Sequence, residues 1–137
     1  MDKLEGSNIL VVDDKPENLR LLSGILREEG YVVRAALDGE TALSSANYTP
    51  PDLIFLDIMM PEMDGYEVCD ILKSNESTRD IPVIFISALN EVFDKVKAFS
   101  AGGVDYITKP FQAEEVLARV KTHLHIRQLQ HRLERKN

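Results

Sequence analysis

The sequence predicts an α/β domain built on a doubly wound, five-stranded parallel sheet. Five short apolar runs alternate with segments of helical periodicity, which is the pattern of repeated strand–helix units. Most of these runs are continuously apolar, as in strands whose two faces are both covered by helices. Right-handed crossovers between parallel strands favour the strand order 2-1-3-4-5. A length of 137 residues suits one domain of this kind.

The predicted strands are the apolar runs, and the helices lie between them. Pro16 suits a first helical turn, Gly30 suits the position after a helix, and Asp38 can serve as an N-cap. The strands are Asn8–Val12, Val32–Ala36, Leu53–Leu56, Val83–Ile86 and Val104–Ile107. The helices are Pro16–Glu29, Gly39–Asn47, Gly65–Ser74, Glu91–Ala101 and an extended C-terminal helix from Ala113 to about Arg135.

Composition and charge narrow the class of protein. No apolar run approaches the roughly 20 residues that span a bilayer, and the single cysteine, Cys69, fits a reducing cytoplasm. Residues 1–118 carry 10 Lys/Arg and 22 Asp/Glu, a net of −12, whereas residues 119–137 carry 6 and 1, a net of +5. The acidic body argues against direct nucleic-acid binding. A basic helical tail is most simply a solvated helix face, with a nucleic-acid or membrane role as the alternative.

Polar residues stand where the predicted strands end. Asp13 and Asp14 follow the first strand, and Asp57 follows the third. Ser87 follows the fourth strand, and Lys109 comes shortly after the fifth. These strands are neighbours in the predicted order, and ligand sites in such sheets form at the carboxyl ends of the strands. We therefore expect the three carboxylates, the hydroxyl and the ammonium to meet at one edge of the sheet.

This set of groups predicts phosphoryl chemistry with a metal ion. Crowded carboxylates repel one another, so that one takes up a proton or a cation lies among them. Mg²⁺ binds such oxygens with only one or two carboxylates because it keeps several waters. A carboxylate can be the nucleophile that forms an aspartyl phosphate. A nearby ammonium and hydroxyl can then contact the phosphoryl oxygens.

Other chemistries lack their residues. The chain has neither G-x-x-x-x-G-K-[ST] nor G-x-G-x-x-G, so nucleotide-binding loops have no support. The three histidines, His123, His125 and His131, all lie in the tail, which leaves a Ser-His-Asp arrangement without its base. One cysteine and no H-E-x-x-H make a zinc site improbable.

Four motifs, taken in order, resemble the response regulator receiver domains of two-component signal transduction. They are ILVVDD (9–14), LIFLDIMMPEMDGYEV (53–68), VIFISAL (83–89) and GGVDYITKPF (102–111). The resemblance implies the flavodoxin-like form of the predicted fold and runs from about Asn8 to about His125. We accordingly expect a receiver domain at residues 1–125 and a helical extension or linker at residues 126–137.

The resemblance implies a role for each residue of the predicted site. Asp57 matches the phosphoacceptor, and Lys109 and Ser87 match the residues that contact the phosphoryl group. Ser87 and Tyr106 match a switch pair, in which the aromatic ring turns inward when the hydroxyl moves toward phosphate. The implied Mg²⁺ ligands are Asp13, Asp14, Asp57 and the backbone carbonyl of Met59.

Further positions follow from the same resemblance. Gly65 matches a loop position after the phosphoacceptor, and the Lys109–Pro110 peptide bond is expected to be cis. Met59 and Leu89 match the two positions that flank the path of the water that removes the phosphoryl group. Both are apolar here, so the resemblance implies slow dephosphorylation.

The implied function is a phosphorylation-activated switch rather than an enzyme with a separate substrate. Its partners would be a histidine kinase or phosphotransfer protein, and its output a changed surface of the fourth helix, fifth strand and fifth helix. One rival is an aspartyl-phosphate hydrolase of the haloacid dehalogenase type. That chemistry needs an Asp two residues after the nucleophile, where this chain has Met59. The other rival is a constitutive interaction domain, against which the complete set of site residues argues.

The last helix is longer than the predicted sheet needs. Val116, Leu117, Val120 and Leu124 share one face. Thr122, Ile126, Leu129 and Leu133 share a second, nearly opposite face. The second row is either an exposed helix end or the contact of a homodimer that continues as a coiled-coil linker. We favour a homodimer in a chain that precedes an output or sensor module, with a stand-alone regulator as the alternative.

Overall fold

The computed structural model describes residues 4–88 and 94–136, with side chains described as far as residue 134. The predicted doubly wound α/β fold is confirmed, with five parallel strands in the order 2-1-3-4-5. The elements are β1 (Asn8–Val12), α1 (Pro16–Glu28), β2 (Val32–Ala36), α2 (Gly39–Tyr48), β3 (Leu53–Asp57), α3 (Gly65–Ser74), β4 (Val83–Ser87), α4 (Lys95–Ser100), β5 (Asp105–Thr108) and α5 (Ala113–Lys136).

Helices cover both faces of the sheet, which explains the continuous apolarity of the central strands. Every residue of β3 and β4 is buried. One core cluster contains Leu22 and Leu26 of α1 with Val116, Val120 and Leu124 of α5. The other contains apolar residues of α2, α3 and α4. The edge strands β2 and β5 are partly exposed, and their sequences are correspondingly mixed.

The predicted boundaries differ from the observed ones by a residue or so at most termini. β3 and β4 each extend one residue further, so that Asp57 and Ser87 are the last residues of their strands. Asp57 is paired with Ile86, and Ser87 with Thr108, because the neighbouring strands still supply backbone partners there. The predicted start of the fourth helix at Glu91 lies outside the described residues, and the described helix begins at Lys95.

α5 extends past the sheet, as its two apolar rows predict. The first row is buried against α1 and the sheet. In the second row Ile126, Leu129 and Leu133 are 45%, 53% and 64% exposed, so this row has no cover within the single chain that the structure describes. None of the described helices is both long enough and apolar enough to span a membrane.

Candidate functional site

The ends of β1 and β3 bring three carboxylates together. Asp13 and Asp14 follow β1 directly, and Asp57 ends β3, which lies beside β1. One oxygen from each carboxylate lies within 4.8 Å of the others. Asp13 and Asp57 are each only 1% exposed, whereas Asp14 is partly open to solvent. The predicted carboxylate cluster is therefore present at the carboxyl edge of the sheet.

Lys109 reaches this cluster from the loop after β5. Its Nζ lies 3.2 Å from Oδ2 of Asp13 and 3.8 Å from Oδ2 of Asp57. The backbone N–H of Lys109 donates to the carbonyl oxygen of Ser87 at 2.9 Å, which ties this loop to the end of β4. The Lys109–Pro110 peptide bond is cis, as the resemblance implied.

The pKa of Asp57 is raised well above the ordinary value of an aspartic acid. Burial raises the pKa of Asp57 to about 7, repulsion from Asp13 adds to this rise, and the charge of Lys109 opposes it. Lys109 therefore offsets only part of the cost of three neighbouring carboxylates. A carboxylate in this environment is stabilised by a further cation or by a proton.

The free oxygens of the cluster fit a divalent cation. Both side-chain oxygens of Asp57 and Oδ1 of Asp14 are buried and have no hydrogen-bond partner among the described residues. Oδ2 of Asp13 also lacks a hydrogen bond, and its one close cation there is the ammonium of Lys109. Oδ1 of Asp13 accepts a hydrogen bond of 2.9 Å from the backbone N–H of Lys15, which orients that carboxylate. Buried, unpartnered carboxylate oxygens are the ligands that a hard cation such as Mg²⁺ binds.

Ser87 lies at the end of β4, the strand next to β3, and Tyr106 lies on β5, the strand after it in the sheet. Ser87 is 1% exposed, and in the strand register it stands one position beyond the residue that pairs with Asp57. Its Oγ makes a long contact of 3.4 Å with the carbonyl oxygen of Ala88. Tyr106 is partly buried against the core cluster beneath α3 and α4, and Nζ of Lys95 lies 5.5 Å from its ring centre.

Of the two positions implied to flank the attacking water, the structure describes one. The side chain of Met59 is 58% exposed just after β3. Leu89 lies outside the described residues.

Two contributions to the site have no recognisable pattern in the sequence. The first is the backbone N–H of Lys15, which donates to Asp13 and which the D-D-K run does not predict. The second is the packing of Gly65, whose added Cβ would collide with the carbonyl oxygen of Asp57 and lie 2.9 Å from Cα of Ile58. Gly65 N–H also donates to the Ile58 carbonyl at 2.8 Å. The missing Cβ thus lets α3 begin directly against the backbone that carries Asp57.

Known proteins are similar to this chain in sequence and in fold. A model of the response regulator receiver domain matches residues 9–121. The DNA-binding dual master transcriptional regulator RpaA of Synechocystis sp. is 46% identical over 113 residues, which are 82% of this chain and 47% of that protein. Response regulator PleD of Caulobacter vibrioides is 46% identical over 116 residues, which are 85% of this chain and 26% of that protein.

A solved structure gives the same result for the fold. The crystal structure of NtrX from Brucella abortus aligns with a TM-score of 0.88 and 32% identity, covering 96% of this chain and 30% of that chain. This chain spans about half the length of the Synechocystis relative and about a quarter of PleD. The family match covers most of the chain, and the strand order and the acidic edge of the structure agree with this family. The chain belongs to the response regulator receiver domain family.

Proposed function

We propose that this receiver domain is a signalling switch that takes a phosphoryl group onto Asp57 in the presence of Mg²⁺. The observation that carries the proposal is the environment of the Asp57 carboxylate. It is buried, both of its oxygens lack hydrogen bonds from described residues, and Lys109 stands 3.8 Å away. A carboxylate that is only partly neutralised by one ammonium is suited to act as a nucleophile once further cations offset the charge that the reaction brings.

The proposed Mg²⁺ ligands are Asp13, Asp14, Asp57 and the backbone carbonyl of Met59. The proximity of the three carboxylates supports the first three, since their oxygens lie within 4.8 Å of one another. When bound, Mg²⁺ would neutralise carboxylate and phosphoryl charge during the transfer.

The proposed transfer is a displacement at phosphorus. An oxygen of Asp57 forms the new O–P bond as the P–N bond to a phosphohistidine breaks, and the histidine ring of the donor leaves. Lys109 would shift from Asp13 and Asp57 to pair with a phosphoryl oxygen. Ser87 would donate its hydroxyl hydrogen to another phosphoryl oxygen. The domain is thus a phosphoacceptor that assists its own phosphorylation and slow dephosphorylation.

The proposed output is a change in the surface formed by α4, β5 and α5. Ser87 and Tyr106 would couple this surface to the phosphoryl group, which shifts a conformational equilibrium by binding one state better. Exposed apolar side chains on α4 and just before β5 support a contact role for this surface. They are Val96, Phe99 and Val104.

The proposed phosphodonor is a histidine kinase or a phosphotransfer protein in the cytoplasm. The family supports the donor, and the buried free thiol of Cys69 is compatible with a reducing compartment. We propose no direct nucleic-acid contact for this chain because its body carries the large acidic excess. The DNA binding in the name of RpaA is a property of that protein, of which the matched residues make up 47%.

We further propose that residues 126–137 form a linker through which two copies pair. The support is the exposed row of Ile126, Leu129 and Leu133, which repeats at coiled-coil spacing. The full chain should then sediment as a dimer, and a chain cut after Leu124 as a folded monomer. A full chain that stays monomeric at about 50 μM, far above a micromolar Kd, both with and without phosphorylation, would contradict the pairing.

The test of the proposed function is labelling by acetyl phosphate in the presence of Mg²⁺. The parent should gain one phosphoryl group, Asp57→Asn should gain none, and Asp14→Ala should be labelled far more slowly because it loses a metal ligand. Asp70→Asn, on the exposed side of α3, is the matched control and should label like the parent. Unchanged labelling of Asp57→Asn would refute the assignment of the acceptor, whereas a parent that gains no phosphoryl group would favour a constitutive interaction domain.

A further inference from the structure

A cleft of about 240 Å³ lies at the edge of the sheet opposite to Asp57. α5 forms one wall, and the C-terminal end of α3 with the segment leading into β4 forms the other. The strands begin at this edge, whereas the carboxylate cluster lies where they end. The polar side chains that line the cleft are Lys73, Arg79, Asp80, His123, Arg127 and Gln130.

The cleft carries an excess of positive charge. Three basic side chains, Lys73, Arg79 and Arg127, line it together with the single carboxylate of Asp80. In the described part of the chain, neither Lys73 nor Arg79 forms an ion pair, and Arg127 has only a long one of 3.9 Å, from its Nε to Oδ1 of Asp52. Nε2 of His123 lies 3.0 Å from Oδ2 of Asp105, so this ring already has a carboxylate partner. The protein therefore balances the positive charge of the cleft only in part.

Backbone carbonyls hold two of these cations in place without neutralising them. Nζ of Lys73 donates to the carbonyl oxygens of Arg79 and Ile81, the first at 3.0 Å. Nη1 of Arg127 donates to the carbonyl oxygen of Asp80 at 2.9 Å. Three consecutive carbonyls thus fix both cations against one segment. These hydrogen bonds have a structural role, since they hold α3 and α5 against the segment before β4. Because the acceptors are neutral carbonyl oxygens, the positive charges can still attract an anion.

Burial increases the cost of this unbalanced charge. Burial lowers the pKa of Lys73, the nearby Cys69 and Asp80 oppose this change, and the positive charge of Arg127 adds to it. Nε of Arg127 is buried and has no hydrogen-bond partner among the described residues. Buried donors and charges without partners are costly, and a bound anion would relieve both costs.

We propose that this cleft binds a small phosphorylated molecule through Arg79, Arg127 and the remaining N–H of Lys73. The planar guanidinium groups suit the oxygens of a phosphate group. The volume is below the roughly 300–1,000 Å³ of typical small-molecule sites, which favours a compact ligand. Such a ligand would join α5 to the segment before β4 and would therefore act on the helix that leaves the domain.

The cleft shares no lining residue with the carboxylate cluster, so anion binding there can be tested without Mg²⁺. The full chain, labelled with ¹⁵N, would be titrated with inorganic phosphate and with pyrophosphate at constant ionic strength. We expect saturable shifts of the Arg127 Nε–H signal and of the amides of residues 79–82, with pyrophosphate binding more tightly. Chloride at the same ionic strength should not reproduce them.

Arg79→Gln is the decisive variant because Arg79 is exposed and lines the cleft. Loss of one charge-assisted hydrogen bond should weaken phosphate binding roughly tenfold. Arg20→Gln, on the exposed surface of α1, is the matched control and should bind like the parent.

Three outcomes would overturn the proposal. The first is the absence of saturable shifts at up to about 20 mM anion, beyond which binding is negligible. The second is equal affinity in Arg79→Gln and Arg20→Gln. The third is a set of shifts confined to the edge that carries Asp57. A loss of binding in Arg79→Gln with an unchanged Arg20→Gln would support the cleft as the site.

Discussion

Removing the charge of Asp57 should stabilise the metal-free protein, by an amount that grows with pH. Burial and repulsion from Asp13 raise the pKa of Asp57 from 3.8 to about 7 in the folded chain. Below about pH 3 the acid is mostly protonated in both folded and unfolded chains and costs almost nothing. As pH rises toward 7, the unfolded chain loses this proton and the folded chain keeps it. Stability therefore falls through this window and stays low above it.

The pKa difference sets the size of the effect. At about 1.4 kcal/mol per pKa unit, a rise from 3.8 to about 7 corresponds to on the order of 4 kcal/mol above pH 7. At pH 5 roughly 1.5 kcal/mol of this cost is already present. Asn has nearly the same shape without the charge. Asp57→Asn should therefore gain about 2–3 kcal/mol more, relative to the parent, at pH 8 than at pH 5.

Urea unfolding in the presence of EDTA measures this difference. The free energy of unfolding is extrapolated for the parent and Asp57→Asn at both pH values. Asp70→Asn removes an exposed carboxylate from α3 and should follow the parent at both. Saturating Mg²⁺ should narrow or reverse the gap at pH 8, since a ligand at 100 times its Kd adds about 2.7 kcal/mol to the parent. A gap of equal size at pH 5 and pH 8 without metal would refute the reasoning.

Three further predictions concern neighbours of the phosphoacceptor. Gly65→Ala should lower the free energy of unfolding by about 1–3 kcal/mol and weaken Mg²⁺ binding, because the added Cβ displaces the Asp57 backbone. Calorimetry measures both quantities, and an unchanged Mg²⁺ affinity would contradict this prediction. Ser87→Ala should still accept phosphate but lose the NMR shift changes on α4, β5 and α5; identical shift changes in both proteins would exclude the coupling. Met59→Asn should speed loss of phosphate by roughly 5- to 150-fold because the amide orients the attacking water. Phosphate release is measured after the donor is removed, and decay no faster than in the parent would contradict this prediction.

The order of the elements and the edge that carries the site could be predicted from the sequence because both depend on local patterns. Apolar runs, helical periodicity and residues such as Pro16 and Asp38 act within a few positions along the chain. Parallel pairing then requires all strands to end at one edge, so that Asp57 and Lys109 had to come near each other. The resemblance supplied the roles of the individual residues, which pattern alone leaves open.

The limits of β3 and β4 depended on the neighbouring strands. Asp57 and Ser87 remain in the sheet because adjacent strands still offer them backbone pairs. A polar residue after an apolar run looks like the start of a loop in the sequence, which is why both strands were predicted one residue short. The predicted division at residue 125 remains a prediction, although Arg127 still contacts the domain through the Asp80 carbonyl.

The sequence by itself determined the α/β fold, the strand order and the residues that meet at the acidic edge. Only the tertiary structure decided the distances of Lys109 from its carboxylates, the raised pKa of Asp57 and the close approach of Gly65. It also created the cationic cleft around Arg127, whose walls come from segments about 50 residues apart in the chain. The physical reason is that burial, desolvation and charge repulsion depend on what surrounds a group in three dimensions, and distant segments supply those surroundings.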